Sequence, residues 1–142
     1  MNIPPIGLTY ESTVSVSDAL IVPALPNAFP AMADMPPVFA TAFMVAFVEA
    51  TCIEALTPYL EPGEGTVGTK IDMSHVAPTP TGSAVTAKVE LTAVENRKLQ
   101  FRVRCSDEAD HIGEGLHERA LIDRHRFGSK LNAKKGLTAP QP

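Results

Sequence analysis

Residues Phe39–Leu56 read FATAFMVAFVEATCIEAL, and this stretch decides the fold. Nearly every position is apolar and compatible with a helix, so the segment is apolar on all sides, as is typical of a buried helix. Glu49 interrupts it in the middle. Burying an ionised carboxylate without a partner costs several kcal/mol. We therefore expect Glu49 either to reach a wet edge of the helix with Glu54 or to meet a partner and take part in chemistry.

The composition indicates one globular domain. The chain has 142 residues, of which 44% are hydrophobic and 20% charged, which is ordinary for a protein of this size. All 12 Lys and Arg lie from Lys70 onward, whereas residues 1–69 hold seven acids and no base. The 12 bases of the C-terminal half exceed its nine acids by only three, too few for nucleic-acid binding. This asymmetry suits either a small anionic ligand or a self-complementary dimer.

The cysteines and the N-terminus favour a cytoplasmic protein. Cys52 and Cys105 lie in apolar segments without metal-site spacing and are interpreted as reduced thiols. The N-terminal MNIPPIG lacks the basic start and apolar core of an export signal. The longest uncharged runs are short and interrupted by prolines, so we expect no membrane span. Neither a metal nor a cofactor is predicted, because His111, His117 and His125 show no ligand spacing with an acid.

Polar and apolar residues alternate in five segments, which predicts five strands. The first lies within Ile6–Val16, and prolines then punctuate an irregular lead-in to the helix. Pro58 ends the helix. The four later strands are expected within Thr66–Pro78, Ser83–Glu95, Lys98–Ser106 and Ile112–His125, with a tight hairpin at Glu95–Arg97.

This order of elements predicts an α+β hot-dog fold, in which a curved antiparallel sheet wraps around one long central helix. We expect the later strands to form a four-stranded meander that curls around the helix, because only a curled sheet of this size covers it. The domain is expected to span residues 1–127, followed by a polar, basic and partly disordered tail at 128–142. The flank of the helix that one sheet leaves open predicts a homodimer. Further pairing of dimers is left open.

Two runs carry a resemblance to a known family: PPVFATAFMVAFVEATCIEALTPYLEPGEGTVGTKIDMSHVAPTPTG at residues 36–82 and GEGLHERALI at residues 113–122. They closely resemble the fluoroacetyl-CoA thioesterase family of hot-dog proteins, and the similarity covers about Pro36 to Phe127. The resemblance implies hydrolysis of a short acyl-CoA thioester in a homodimer. Its catalytic threonine, glutamate and histidine match Thr41, Glu49 and His75.

The resemblance also implies residues of the substrate pocket. A pocket glycine matches Gly68, and an arginine on the last strand matches Arg119. Two phenylalanines that form a lid over the acyl group in the fluoroacetyl-specific enzyme are replaced by Met32 and Met35, and Phe39 is counted with them as a pocket candidate. The resemblance therefore supports the hydrolytic machinery more directly than the fluorinated substrate.

Helix geometry limits how the catalytic candidates can meet. Thr41 and Glu49 are eight residues apart on one helix, about 12 Å along its axis, which is beyond hydrogen-bond reach. A common site needs either His75 or water between them, or Thr41 of one protomer facing Glu49 of the other. We expect the second arrangement, because a two-fold dimer permits it.

Each candidate has a structural alternative. Thr41 alone is an ordinary hydroxyl bonded to a helix carbonyl, and His75 alone is an edge or core residue, although pairing it with Glu49 would suit proton transfer. Gly68 either brings a backbone N–H close to the substrate or forms a bulge. Arg119 either binds a coenzyme A phosphate or a carboxylate, or pairs with Glu118 or Glu114 at the surface.

Three functions are compatible with this sequence. The leading hypothesis is an acyl-CoA thioesterase. An enoyl-CoA hydratase is less favoured, because its site calls for a histidine at the central helix and Phe39–Leu56 contains none. The third is a hot-dog dimer that binds an acyl-CoA or a small anion without catalysis, since fold alone does not fix function.

Overall fold

A computed structural model of the chain describes residues 1–138, and this part contains five strands and two α-helices. Three short 3₁₀ turns lie before and directly after the first helix. The main elements are β1 (Thr9–Ser15), α1 (Thr41–Leu56), β2 (Glu64–Met73), β3 (Ala84–Glu95), β4 (Lys98–Ser106), β5 (His111–Asp123) and α2 (Arg124–Thr138).

Helix α1 packs on one face of the sheet and contacts β1 to β4. Its buried side chains recur at helical spacing and form the core with alternate residues of β3 and β4, among them Val89, Leu91, Phe101 and Val103. The opposite side of the helix is also apolar but exposed, and it carries small residues at Ala42, Ala46 and Ala50. An open flank of the central helix was predicted, and the structure has it.

The sheet is antiparallel throughout, in the order β1-β3-β4-β5-β2. The predicted four-stranded meander is therefore wrong in one respect. Only β3, β4 and β5 follow one another as hairpins, whereas β2 pairs with β5 at the far edge. The reason is that the loop Ser74–Ser83 carries the chain from β2 across the end of the sheet, so that β3 pairs with β1 instead.

The sequence indicated two local features of the strands, a hairpin and a bulge. Asn96 adopts a left-handed conformation with φ 56° in the two-residue turn between β3 and β4, which confirms the predicted hairpin. The register of β2 against β5 shifts between Gly68 and Lys70, so Thr69 is the extra residue of a β-bulge. The bulge is one of the two alternatives considered for Gly68.

Helix α2 extends through most of the predicted tail. Helix α2 runs over Arg124–Thr138, where the sequence predicted only a short helical turn followed by disorder. This helix is polar along its length and its described side chains are mostly exposed. Its sequence therefore lacks the apolar periodicity from which a helix is predicted. Residues 139–142 of the predicted tail lie outside the described part of the chain.

Helix α1 also bears on the membrane question. Together with the turn after it, Thr41–Tyr59 forms 19 helical residues with a mean hydropathy of 1.3, long and apolar enough by composition to cross a bilayer. Core helices of soluble proteins meet the same criterion. Within this stretch 33% of the residues are buried, among them Met44, Val48 and Cys52, which pack against the sheet.

Candidate active site

Glu49 lies in the middle of α1 and points towards β5. Its side chain is 37% exposed, and its Oε1 accepts a hydrogen bond of 3.3 Å from Nη1 of Arg119. Nε2 of His117 is 3.8 Å from the same oxygen. Glu54 lies elsewhere on the helix and accepts a hydrogen bond from Ser12 of β1. The two acids of α1 therefore do not share a wet edge, and Glu49 has the partner that its position requires.

Arg119 is buried, with 3% of its surface exposed. Its Nε donates to the Thr66 hydroxyl and its Nη2 to the Thr66 carbonyl, both at 2.9 Å, while Nη1 is shared between Glu49 and His117. Among the described residues Arg119 makes no ion pair with Glu118 or Glu114, so the surface pair is not what the structure shows. Its carboxylate partner is Glu49 of the same chain, and binding of a coenzyme A phosphate stays a prediction.

Gly68 leaves room for this carboxylate. A Cβ at residue 68 would overlap Oε1 of Glu49, and it would also approach the ring of His117 and the guanidinium of Arg119. Because residue 68 has no Cβ, the Glu49 carboxylate can pack directly against the backbone of β2. The sequence singled out Gly68 for a close approach, but the group that approaches in this chain is the Glu49 side chain.

Thr41 and His75 form a second pair at the other end of the helix. Thr41 begins α1, and His75 follows β2 by two residues, in a segment whose backbone still bonds to β5 through Ser74 and Val76. Oγ1 of Thr41 is 2.6 Å from Nδ1 of His75, which is the distance expected of a nucleophile and its base. The same contact would also let the threonine orient the imidazole.

One nitrogen of His75 lacks a partner. Nε2 is buried and makes no hydrogen bond among the described residues, although buried polar atoms rarely stay unpaired. Burial also lowers the pKa of His75, so the neutral imidazole is favoured. An open depression of about 310 Å³ adjoins the pair, lined by Thr41, His75 and residues such as Val22, Phe39 and Ala77.

The two halves of the site do not meet within one chain. The described residues show no hydrogen bond between Glu49 and either Thr41 or His75, in agreement with the separation expected from helix geometry. Sequence reasoning missed two members of the Glu49 cluster, Thr66 and His117. The available signal was the alternation along each strand. Thr66 and Gly68 lie two residues apart on β2, and His117 and Arg119 two residues apart on β5, so each pair lies on one face of its strand.

The remaining pocket candidates lie in the lead-in to the helix. Phe39 is buried, lines the depression beside Thr41, and is fixed by a hydrogen bond from its N–H to the Thr79 carbonyl. Met32 is partly buried and Met35 is 46% exposed. Neither methionine lines that depression, so their role as a lid stays a prediction.

The cysteines are not suited to act as nucleophiles. Cys52 and Cys105 are free and buried, and burial raises the pKa of each thiol to about 12. The thiolate is the reactive form, so neither competes with Glu49 or Thr41 at neutral pH. Among residues 1–138, no group of three or more His, Cys, Asp or Glu side chains is placed to hold a metal ion.

Comparison with solved structures identifies the class. A thioesterase superfamily member from Thermus thermophilus has a TM-score of 0.87 at 24% sequence identity, with 96% of each chain covered. This likeness shows the fold, a curled five-stranded sheet with one central helix. The protein therefore has the hot-dog fold.

The family follows from closer relatives. Residues 26–125 match FlK, the family of fluoroacetyl-CoA-specific thioesterases. The chain is 50% identical over 105 residues to the fluoroacetyl-CoA thioesterase of Streptantibioticus cattleyicolor, covering 74% of this chain and 76% of that protein. The solved structure of the fluoroacetyl-CoA thioesterase FlK has a TM-score of 0.91 at 40% identity, over 98% of this chain and 100% of that one. The chain belongs to the fluoroacetyl-CoA-specific thioesterase family and is a hydrolase that acts on thioesters.

Proposed function

We propose that this protein is a homodimeric enzyme that hydrolyses short acyl-CoA thioesters to the free acid and coenzyme A. The observation that carries the proposal is the Glu49 carboxylate, which Arg119 holds at the open flank of an otherwise apolar helix. The substrate class comes from two relatives described above, both of which are named fluoroacetyl-CoA thioesterases.

The support for a dimer lies at the edge of the sheet. Strand β2 has a neighbour on one side only, and its outer edge can pair with a second strand. Apolar side chains are exposed around it, Ile71 at 40% and Val76 at 68%. The exposed alanine face of α1 adjoins this edge and would be covered at the same time.

A two-fold dimer through β2 would also complete the site. Two β2 strands paired in antiparallel fashion place the start of one beside the end of the other. The Glu49 cluster packs on the first half of β2, at Thr66 and Gly68, whereas His75 follows the end of that strand. The Thr41–His75 pair of one protomer would then lie near the Glu49 cluster of the other.

The chemistry divides among three side chains. Glu49 either attacks the thioester carbonyl or activates a water molecule, since its partly exposed carboxylate is within reach of a substrate. His75 handles the proton that the leaving thiolate requires, and Thr41 orients the imidazole or donates to the substrate. Both the covalent and the direct hydrolytic route use the same groups.

We also propose a compartment and an acyl preference. Two free cysteines fit the cytoplasm, where thiols stay reduced. If Met32 and Met35 take the place of the phenylalanine lid, the pocket is more adaptable, because methionine is flexible and fills irregular spaces. The expected acyl groups are therefore small, with weaker discrimination between acetyl and fluoroacetyl groups than a rigid aromatic lid would give.

The test is a thiol-release assay with acetyl-, fluoroacetyl-, propionyl- and butyryl-CoA. Glu49→Gln and His75→Ala should each lower kcat by about 100-fold or more. The double variant should be scarcely worse than either, because groups that act together are non-additive. Saturable binding without thiol release would favour the non-catalytic binder, and hydration of an enoyl-CoA without thiol release would favour the hydratase.

A further inference from the structure

His117 is a buried histidine for which the thioesterase reaction has no direct use. It lies on β5 with 2% of its surface exposed, two residues before Arg119. Nδ1 is 2.8 Å from the Lys70 carbonyl oxygen, and Nε2 is 3.1 Å from Nη1 of Arg119. Both ring nitrogens are therefore engaged inside the protein.

These two partners determine the tautomer. A carbonyl oxygen only accepts hydrogen bonds, so Nδ1 of His117 must carry a proton. The guanidinium of Arg119 only donates, so Nε2 must be bare. The ring is therefore neutral, and protonation of Nε2 would remove the acceptor and set a second cation against the guanidinium.

This tautomer of His117 fixes the orientation of the Arg119 guanidinium. One Nη1 hydrogen is directed to His117 and the other to Glu49, while Nε and Nη2 bond to Thr66. Four hydrogen bonds hold a planar group that has five N–H donors, so rotation of the guanidinium is arrested. Glu49 Oε1, at 3.3 Å, is the partly exposed end of this chain of contacts.

We propose that His117 is a positioning residue, which as the neutral Nδ1–H tautomer locks the Arg119 guanidinium and thereby sets the Glu49 carboxylate for the reaction. This inference rests on the proposed role of Glu49 in catalysis. It adds a contact chain from the Lys70 backbone through His117 and Arg119 to the reacting oxygen.

The electrostatic surroundings agree with the proposal. Burial is the main cause that lowers the pKa of His117, and the Arg119 charge lowers it further, against the opposing effects of the Lys70 carbonyl and the Glu49 carboxylate. The titratable or charged groups that face the ring are Arg119 on β5 itself, Glu49 on α1, and the neutral thiol of Cys52 near both charges. The net effect lowers the pKa of His117 and so favours the neutral ring that the hydrogen bonds require.

The kinetic test compares two substitutions with a control. His117→Phe keeps an aromatic ring but removes both hydrogen bonds, and kcat for acetyl-CoA should fall about 10- to 100-fold, because small misplacements of reacting groups are costly. KM should change less than about twofold, since His117 does not touch substrate. His117→Gln restores an acceptor for Arg119 and should recover most of kcat. His111→Phe, at an exposed histidine of the same strand, should leave both constants unchanged.

A second test does not depend on activity. Long-range ¹H–¹⁵N correlation spectra of the parent at pH 7 should show His117 with a protonated Nδ1 and a bare Nε2. The Nη protons of Arg119 should be resolved in the parent and in His117→Gln, and should coalesce in His117→Phe as the guanidinium rotates. A parent that shows this tautomer but hydrolyses no acyl-CoA would refute the proposed function alone. A protonated Nε2, or a folded His117→Phe variant with parental kcat, would overturn the positioning role.

Discussion

Gly68 and Glu49 are so close that a Cβ on residue 68 would overlap Oε1 of the glutamate. The same oxygen accepts the hydrogen bond from Arg119. A methyl group at position 68 would therefore displace this oxygen without removing any ionisable group from the chain.

We predict that Gly68→Ala lowers kcat by about 10- to 100-fold, as expected for a displaced catalytic group. The fold should persist, because residue 68 lies on the edge strand and is exposed. Gly128→Ala is the matched control, since a Cβ there meets nothing within 4 Å. Thiol-release assays measure kcat of both variants, and urea unfolding measures their stability. A fully active Gly68→Ala enzyme would show that Glu49 is not the reacting group.

The second prediction concerns the charge of Glu49. If the carboxylate were unpaired, Glu49→Gln would leave the free energy of unfolding unchanged or raise it. In this structure Glu49 pairs with Arg119, which is buried and would lose its counter-charge. Glutamine still accepts a hydrogen bond and the site is partly solvated, so we expect the free energy of unfolding to fall by about 1 kcal/mol. Denaturant titration that shows a more stable variant would contradict the pairing.

The third prediction tests the shared site. Ile71→Glu places a charge on the exposed side of β2, so it should shift the protein from dimer to monomer in sedimentation velocity and abolish thiol release. Leu116→Glu is the control, because Leu116 is 55% exposed on the neighbouring strand but pairs with Arg102 and Asp72 on the other sheet face. A monomeric Ile71→Glu protein with full activity would rule out a site built from two protomers.

The fourth prediction is a pH dependence of stability. The pKa values of His75 and His117 are lowered in the folded protein, chiefly by burial. The unfolded chain therefore binds these protons first as the pH falls below the ordinary histidine value of 6.5. Stability is fully present above that value and is lost as the pH falls towards the folded pKa values, by at most about 1.4 kcal/mol per pH unit for each histidine. Unfolding between pH 7.5 and 5.5 should be less pH-dependent in His117→Gln than in the parent, and an equal slope would show that His117 titrates normally.

The fifth prediction concerns coenzyme A. Arg119 bonds to Thr66, Glu49 and His117, so we expect the phosphates to contact exposed bases of the C-terminal half instead, such as Arg97, Arg126 and Lys130 around a small depression of about 60 Å³. If such residues bind the phosphates, raising salt should increase KM and leave kcat unchanged, because screening weakens exposed charge contacts. Acyl-CoA kinetics at 50 and 300 mM salt provide the measurement. A KM that does not respond to salt would exclude an electrostatic contribution to binding.

The sequence predicted what depends on local pattern. The all-round apolar stretch around Met44 and Val48 predicted the central helix, the alternation in β4 predicted a strand with one buried face, and Asn96 marked its hairpin. The spacing of Thr41 and Glu49 also predicted correctly that they do not meet in one chain. Each of these inferences needs only residues close together in sequence.

What the sequence did not predict depends on distant contacts. The pairing of β2 with β5 joins strands about 50 residues apart, and no turn signal specifies it. The family resemblance assigned Arg119 to the substrate pocket, whereas in the structure its guanidinium bonds to Glu49, Thr66 and His117. The tautomer of His117 follows only from the positions of Lys70 and Arg119 in space.

The extra residue at Thr69 makes β2 unusually tolerant of a change in length at one position. Thr66 and Gly68 before the bulge, and Ile71 and Met73 after it, all point to the helix side, although a strict period of two would reverse the second pair. Deleting Thr69 would restore the regular hydrogen-bond pairing of β2 with β5. Thr66, Gly68, Ile71 and Met73 would all stay on the helix side of the sheet. Homologues whose β2 differs by one residue in length should therefore differ at position 69. An alignment that places the gap elsewhere would mispair the residues of the Glu49 cluster.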